Sequence, residues 1–420
     1  MHWSIIYKKG RCTINTTAIK HIKDCMASSG LDVDGGKVCR SSSRFCLGVE
    51  HGDYNGTELL GVGTDRFIWN AYKPNNLGEV RLFSANFSDV GVVSFKLGDV
   101  PAPLSVKDSW ARFPYGVDYV LGKAGLDCSV GFDCIIYGNI PGGGMSRSAS
   151  LTLNLIHTFL DVNDLTVENE LDVVDLAVAV ENEYIGSPCG ALDQIMIQFA
   201  KAKMATHYNP SSRTINYIPL GEGHIDFRIM IMDTGTVRPG LEKSTYKVRR
   251  TECDDFTALL IKDGYPITCL ADVRDNKMFH KIIASYRASH PNLCDRFDYI
   301  FHAQQRFYKM LEAWQAGDVE TVGENFRKDG IGLRDDYKIS GGELEAMCDI
   351  VRGVDGALGE RMLGGGDVGA AGALVRTEAV ATITKAIDNL YPKNHQDYAD
   401  KYAIHTCKIV DGICVLEDLL

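Results

Sequence analysis

Residues 141–151 read PGGGMSRSASL, a glycine run that passes into small hydroxyl residues and then into the apolar segment 151–160. The preceding segment FDCIIYGNI (132–140) is apolar and β-branched enough to be a buried strand, so the predicted order is strand, glycine loop, helix. Glycines let a backbone approach a ligand closely, and the free N–H groups and dipole at a helix start favour an anion. The pattern is neither a Walker A loop nor a GxGxxG dinucleotide motif. Taken alone, it fits an anion-binding loop and a simple connection equally well.

The composition is that of an ordinary globular protein. At 420 residues the chain exceeds what one hydrophobic core usually supports, so two domains are expected. A net charge of -11 argues against a broad nucleic-acid-binding surface but allows a local basic pocket for phosphate. No apolar stretch approaches the ~18 residues of a membrane helix, and the N-terminus lacks the pattern of a signal peptide. Thirteen cysteines, never spaced CxxC, predict reduced thiols and a cytoplasmic protein.

Four ionisable residues fall within ten positions of the segment SSSRFCLGVEHGDYNGT. They are Arg44, Glu50, His51 and Asp53, and the turn signal Asn55-Gly56 closes the cluster. Such a group is unlike core, so it is either a solvated loop or part of a site.

Two further segments also leave alternatives open. Trp110 lies in an aromatic-rich helical stretch, where it can pack into the core or lie against a flat ligand such as a purine. Glu181 lies in the periodic segment DLAVAVENEY, and Asp193 falls at or just inside a new helix that begins near Cys189. A carboxylate at a helix start can be no more than a cap.

The second half of the chain changes character. The segment FRIMIMDTG predicts a strand covered on both faces, and from Leu241 the sequence is mostly helical to about residue 350. Residues 359–375 supply a second glycine-rich turn, and the closing segments KYAIHTCKI and GICVLEDL predict a hairpin.

Five stretches in this order resemble the galactokinase branch of the GHMP family of small-molecule kinases. SRFCLGVEHGDYNGT is similar to the family's first signature, GRVNLIGEHTDYNGG, and PGGGMSRSASL to its phosphate loop, PxGAGLSSSAAL. ENEYIGSPCGALDQ resembles an acidic segment followed by CGxMDQ, and GLRDDYKISGGELE resembles SLRDDYEVSxxELD. RMLGGGDVGA resembles the family's third signature, RMTGGGFGGC. The likeness runs from about residue 40 to the C-terminus.

The resemblance implies an α+β fold with the two-domain GHMP kinase architecture. Its N-terminal domain would be ribosomal-protein-S5-domain-2-like and its C-terminal domain ferredoxin-like, with the active site in the cleft between them. We expect residues 1–228 to hold the first signature, the phosphate loop and the catalytic aspartate. Residues 229–420 would hold the glycine-rich third signature.

The resemblance also implies roles for single residues. Asp193 matches the carboxylate that faces the anomeric hydroxyl of the sugar, and Arg44 matches the arginine that orients it and favours its charged form. Ser148 and Glu181 match the serine and glutamate that hold Mg²⁺. The implied sugar contacts are Glu50, His51, Asp53 and Tyr246. The implied ATP contacts are Pro141, Gly142, Gly143, Gly144, Met145, Ser146, Arg147, Ser148 and Trp110.

The implied activity is ATP-dependent phosphorylation of the anomeric hydroxyl of galactose or a galactose-like sugar, giving a sugar 1-phosphate. The implied partners are the sugar, ATP and Mg²⁺, with no nucleic acid and no membrane, and a monomer is expected. Such a reaction depends mostly on positioning and electrostatic stabilisation of the transferred group.

Several motif positions depart from the family pattern. Arg147 replaces the middle serine of the phosphate loop, where it could pair with phosphate or clash with it. Cys46 and Val49 replace an asparagine and a glycine of the first signature, and Asp367 and Val368 replace Phe-Gly in the third. Two alternatives follow: a non-catalytic sugar or nucleotide sensor on the same fold, or a kinase for another monosaccharide such as N-acetylgalactosamine or arabinose.

Overall fold

The computed structural model describes residues 16–106, 109–237 and 245–417. Strands in these ranges form two sheets. The strands are β1 Lys37–Gly48, β2 Leu59–Pro74, β3 Glu79–Ser84, β4 Val92–Lys96, β5 Phe132–Gly138, β6 Met204–Asn209, β7 Thr214–Pro219, β8 Phe227–Asp233, β9 Ala357–Met362, β10 Ala370–Arg376, β11 Ala403–Cys407 and β12 Cys414–Leu416.

Helices make up most of the chain between β8 and β9. The α-helices are α1 Thr16–Ser29, α2 Arg112–Lys123, α3 Arg147–Val162, α4 Glu170–Ala179, α5 Leu192–Gln198, α6 Thr245–Lys262, α7 Asn276–Tyr286, α8 Pro291–Ala316, α9 Val319–Asp335, α10 Gly342–Arg352 and α11 Val380–Asn394. Val180–Ile185 is a π-helical turn, and Asp53–Asn55, Ala85–Val90, Leu270–Asp272, Thr377–Ala379 and Gln396–Tyr398 are 3-10 turns.

The first sheet has eight strands in the described ranges. Its path is β12-β1-β2-β5-β3-β4, with β6 paired to β2 and β7 paired to β6. Only the β3–β5 pair among these is parallel. The predicted order of strand, glycine loop and helix is confirmed as β5, loop and α3.

Strand β5 is buried on both faces, as its sequence predicted. Cys134 and Ile136 join the large core that also holds the apolar side of α3. Ile135 points the other way, into a smaller cluster with Ala18 and Ile22 of α1. The alternation follows from the two-residue period of a strand. It gives the glycine loop, which follows β5 directly, a fixed base.

The second sheet has the order β11-β8-β10-β9 and is antiparallel throughout. The predicted C-terminal hairpin is wrong, because β11 pairs with β8 whereas β12 pairs with β1 of the first sheet. Two short strands separated by a few residues suggest a hairpin locally, but each finds an open sheet edge elsewhere. The predicted domain boundary at 228/229 stays a prediction.

The cysteines mostly follow the prediction. Eleven are free thiols in the described ranges. Cys414 is disulfide-bonded, so the prediction that every thiol is reduced is wrong at this residue. Within the described ranges, no helix combines the length and apolarity needed to cross a membrane.

Candidate active site

The loop between β5 and α3 has the backbone of an anion cradle. Gly144 has φ 73° and Ser146, which precedes the helix, has φ 55°. The Ser146 side chain does not cap α3. The first N–H groups of the helix therefore keep their capacity to bind an anion, and the helix dipole favours one.

Contacts from three directions hold this loop. The Ser43 hydroxyl of β1 donates to the Met145 carbonyl at 2.6 Å. The Gly142 N–H donates to Asp233 Oδ2 at the end of β8, at 3.3 Å. A Cβ on Gly143 would lie 2.5 Å from the Cα of Gly369, so the phosphate-loop candidate packs backbone to backbone against the glycine turn between β9 and β10.

A cavity of about 800 Å³ opens beside the loop, within the size range of small-molecule sites. Phe87, Phe113 and Trp110 supply aromatic surface to its wall. Of the predicted ATP contacts, the lining ones are Gly142, Gly143, Gly144, Ser146, Arg147, Ser148 and Trp110. Pro141 and Met145 are not in this wall, and Met145 is buried.

A second cavity, of about 120 Å³, adjoins the first. Most of its lining residues carry polar side chains, and they include all four predicted sugar contacts, Glu50, His51, Asp53 and Tyr246. Five residues line both cavities: Arg44, Ser148, Asp193, Gly364 and Gly365. The two spaces thus meet at the Arg44–Asp193 pair.

Arg44 and Asp193 form the central ion pair. Arg44 Nε and Nη2 each lie 2.7 Å from Asp193 Oδ1, and Nη1 donates to the Gly144 carbonyl at 3.0 Å. The Arg44 side chain is 1% exposed and that of Asp193 33%. Burial lowers the pKa of Arg44, but Asp193 and Glu50 raise it more, so the guanidinium stays charged. It aligns the carboxylate and the loop together.

Glu50 and His51 reach the smaller cavity from the turn after β1. Glu50 Oε2 accepts from Arg361 at 2.9 Å and Oε1 lies 3.6 Å from Arg44 Nη2. His51 has a strained φ of 61°, and its Nδ1 bonds the Tyr54 hydroxyl at 3.0 Å. A left-handed non-glycine residue in a cavity wall is typical of functional sites.

Asp53 is fixed to the loop before α5. Its Oδ2 accepts from the Leu192 N–H at 3.2 Å. A Cβ on Gly190 would lie 2.1 Å from the same oxygen, so only glycine fits beside it. Burial raises the pKa of Asp53 to about 6. Tyr246, near the start of α6, brings the C-terminal half to this cavity, with its ring 5.3 Å from that of His51.

Similarity to known proteins agrees with this arrangement. The family model of the GHMP kinase N-terminal domain matches residues 114–201, which hold the glycine loop and Asp193. Galactokinase of Lacticaseibacillus casei is 31% identical over 370 residues, which are 88% of this chain and 92% of that protein. The chain belongs to the GHMP kinase family. Galactokinase of Streptococcus mutans is 30% identical over 382 residues, 90% of this chain and 93% of that protein.

Solved structures confirm the GHMP kinase fold predicted from the motifs. Galactokinase of Lactococcus lactis, crystallised with galactose, matches with a TM-score of 0.85 and 27% identity, covering 95% of this chain and 99% of that one. Mevalonate kinase of Methanococcus jannaschii matches with a TM-score of 0.63 at 15% identity, covering 90% and 99%, which shows the fold alone.

The predicted metal ligands of this GHMP kinase lie together. Glu181, in the π-helical turn, and Ser148 both line the smaller cavity, and the Ser148 side chain is close enough to lower the pKa of the Glu181 carboxyl. Burial raises the pKa of Glu181 to about 7, although Ser148 and Arg112 oppose the shift. Two oxygen donors beside the glycine loop would suit Mg²⁺, which usually takes few protein ligands and completes its shell with phosphate and water.

The departures from the family pattern are accommodated in different ways. Arg147 is exposed and its guanidinium carbon lies 5.6 Å from the centre of the Phe87 ring, along the cavity wall. Val49 is buried and does not take a positive φ. Asp367 does take one, at 60°, but its carboxylate accepts from the Thr245 N–H at 3.2 Å and does not line either cavity.

Sequence reasoning missed Arg112. This arginine begins α2 and lines the larger cavity, and its Nε is buried without a partner among the described residues. An unpaired buried donor in a cavity wall is a candidate contact for an anionic ligand. The sequence places Arg112 only two residues after Trp110, a candidate ligand contact, but the aromatic residues of that segment favour a helix that packs into the core.

Proposed function

We propose that this GHMP kinase transfers the γ-phosphoryl group of ATP to the anomeric hydroxyl of galactose or a galactose-like sugar. One observation carries the proposal: the Arg44–Asp193 pair lies where a nucleotide-sized cavity meets a small polar cavity. A donor phosphate and an acceptor hydroxyl bound in these spaces would meet beside Asp193.

Asp193 has the geometry of a general base or an orienting carboxylate. Both Arg44 contacts are to Oδ1, and we assign the second oxygen to the proton of the sugar hydroxyl. Arg44 also holds the Gly144 carbonyl, so the base and the phosphate loop keep a fixed relation. Holding the base and the phosphate loop in a fixed geometry lowers the entropic part of the activation free energy.

The nucleotide phosphates would lie against the N–H groups at the start of α3. Arg112 supplies a nearby cation for the same anion. Ser148 and Glu181 would hold Mg²⁺, which when bound would neutralise charge on the β- and γ-phosphates. The aromatic wall residues Trp110 and Phe113 of the large cavity suit the adenine ring.

The choice of galactose rests on the relatives and on the smaller cavity. The two bacterial relatives and the solved structure with the higher TM-score are galactokinases, and that structure was crystallised with galactose. The four residues predicted to contact the sugar all line the smaller cavity. Their contact with a sugar is part of this proposal, as are a monomeric state and a cytoplasmic location.

The test is ADP release with ATP and Mg²⁺ over a panel of sugars: galactose, N-acetylgalactosamine, arabinose and glucose. We expect turnover with galactose and little with glucose, which lacks an axial 4-hydroxyl. Preference for N-acetylgalactosamine or arabinose would replace the sugar and keep the chemistry. Binding of galactose without any ADP release would support the sensor interpretation and contradict ours.

Asp193→Asn is the matched control for that assay. We expect it to lower kcat by a factor of roughly 10² to 10⁴, the usual range for loss of a positioned base. The amide keeps the shape of the carboxylate, so ATP binding and the thermal midpoint should stay near wild type. A near wild-type kcat would show that Asp193 is not the base.

A further inference from the structure

A chain of alternating charges runs from the candidate base into the C-terminal half of the molecule. Its members, in order, are Asp193, Arg44, Glu50, Arg361, Asp329 and Arg306. The four inner side chains are between 0 and 4% exposed. Three positive and three negative charges balance, which is the condition under which buried ions are tolerated.

Arg361 is the member that links β9 to the first signature. Its Nη1 donates to Glu50 Oε2 and its Nη2 to the Cys46 carbonyl, each at 2.9 Å. Its guanidinium carbon lies 4.4 Å from the centre of the Phe326 ring. Neither cavity is lined by Arg361, so it acts on any ligand only through other residues.

One nitrogen of Arg44 is shared between two carboxylates. Nη2 lies 2.7 Å from Asp193 Oδ1 and 3.6 Å from Glu50 Oε1. Arg361 donates to the other oxygen of Glu50 and thereby weakens the electrostatic attraction between Glu50 and Arg44. Without Arg361, Arg44 would be the remaining cation for a buried Glu50, and the short contact would shift from Asp193 toward Glu50.

We propose that Arg361 is a positioning residue: its ion pair with Glu50 keeps the Arg44 guanidinium paired with Asp193. The role deepens the proposed phosphoryl transfer and rests on it. Through the Cys46 carbonyl and Glu50, β9 of the second sheet thereby sets the alignment of a base that lies at the start of α5.

The test is a double-mutant cycle on the whole protein with Arg361→Met and Glu50→Gln, measured as kcat and as KM for ATP. We expect Arg361→Met to lower kcat at least tenfold while KM for ATP stays within threefold. In the Glu50→Gln background the same change should cost less than threefold, because the carboxylate that competes for Arg44 is gone. Arg361→Lys, which keeps the charge, should recover at least a fifth of the wild-type kcat.

Arg327→Gln is the matched control. Arg327 pairs with Glu360, the fully buried neighbour of Arg361 on β9, at 2.8 Å and lines neither cavity. We expect it to lower the thermal midpoint with kcat unchanged. If Arg361→Met does not yield folded protein, the same cycle is run with Arg361→Lys, whose residual loss of kcat should vanish in Glu50→Gln.

Two results would overturn the inference: equal loss of kcat in both Glu50 backgrounds, or a loss of kcat in Arg327→Gln as large as in Arg361→Met. Absence of turnover in the wild-type protein would instead refute the proposed function. The two failures are therefore distinguishable in one assay.

Discussion

Arg44 and Asp193 are 149 residues apart in the chain and 2.7 Å apart in the structure. Local sequence patterns indicate only that Arg44 lies in a charged loop and that Asp193 caps a helix. Only the ordered set of motifs paired them, because hydrophobic periodicity carries no information on contacts between distant segments. Arg361 was missed for the same reason: its partners Glu50 and Asp329 lie on other elements.

Asp53 is a proposed sugar contact whose ionised form destabilises the folded protein. Burial raises its pKa to about 6, although the Leu192 N–H opposes the shift. The folded protein therefore holds this proton more tightly than the unfolded chain. The stabilisation is complete below about pH 4 and is lost as the pH rises through about 6.

Asp53→Asn should consequently raise the thermal midpoint at about pH 8 by a few degrees, and by less at about pH 5. The same substitution should raise KM for the sugar roughly tenfold, since a hydrogen bond to a charged group is lost. Calorimetry at both pH values and steady-state kinetics measure the two effects. An equal change in midpoint at both pH values would contradict the assignment.

Arg147, which replaces a serine of the family pattern, is expected to strengthen ATP binding. Its guanidinium lies along the cavity wall beside Phe87, so we expect it to attract the nucleotide and not to obstruct it. Arg147→Ser, which restores the family residue, should raise KM for ATP by roughly 3- to 30-fold with kcat within twofold, the range for an exposed charge-assisted contact. Arg147→Lys should lie between. A fall in KM for ATP in Arg147→Ser would show that the arginine obstructs the site.

At the scale of elements, the strand–loop–helix unit of β5 and α3 was predictable because one strong local pattern specifies each part. The glycine content of the loop has a tertiary reason that the sequence does not reveal. Gly143 faces Gly369 across a backbone contact, whereas a Cβ on Gly142 would meet only Asp233 Oδ2 among the described residues, at 3.9 Å.

These two neighbours allow a controlled test. Gly143→Ala places a methyl group 2.5 Å from the Gly369 Cα, so the loop or the β9–β10 turn must move, at a cost of about 1–3 kcal/mol. Gly142→Ala meets no such contact. Thermal midpoints of the ligand-free proteins should therefore fall for Gly143→Ala and stay near wild type for Gly142→Ala. Equal midpoints would show that the close approach of the two glycine turns carries no stability.

At the scale of the whole molecule, the class of fold followed from the motifs, but the course of the C-terminus did not. Strands β11 and β12 have the local sequence of a hairpin and join different sheets. Each of these strands pairs with an open sheet edge, and such edges exist only once the rest of the fold is formed. The same assembly brings Tyr246 and Gly364 to the cavities that the N-terminal half begins.

The central claim is phosphoryl transfer to the anomeric oxygen of a galactose-like sugar at the junction of the two cavities. Phosphorus NMR of the wild-type protein with ATP, Mg²⁺ and galactose tests it most directly, because the signal identifies both the transfer and the oxygen that receives the group. We predict that the γ-phosphate resonance of ATP disappears while a sugar 1-phosphate resonance grows, and that Asp193→Asn slows both changes by the same factor of roughly 10² to 10⁴. An unchanged ATP spectrum in the presence of bound galactose, or a phosphate on any other sugar oxygen, would contradict the account.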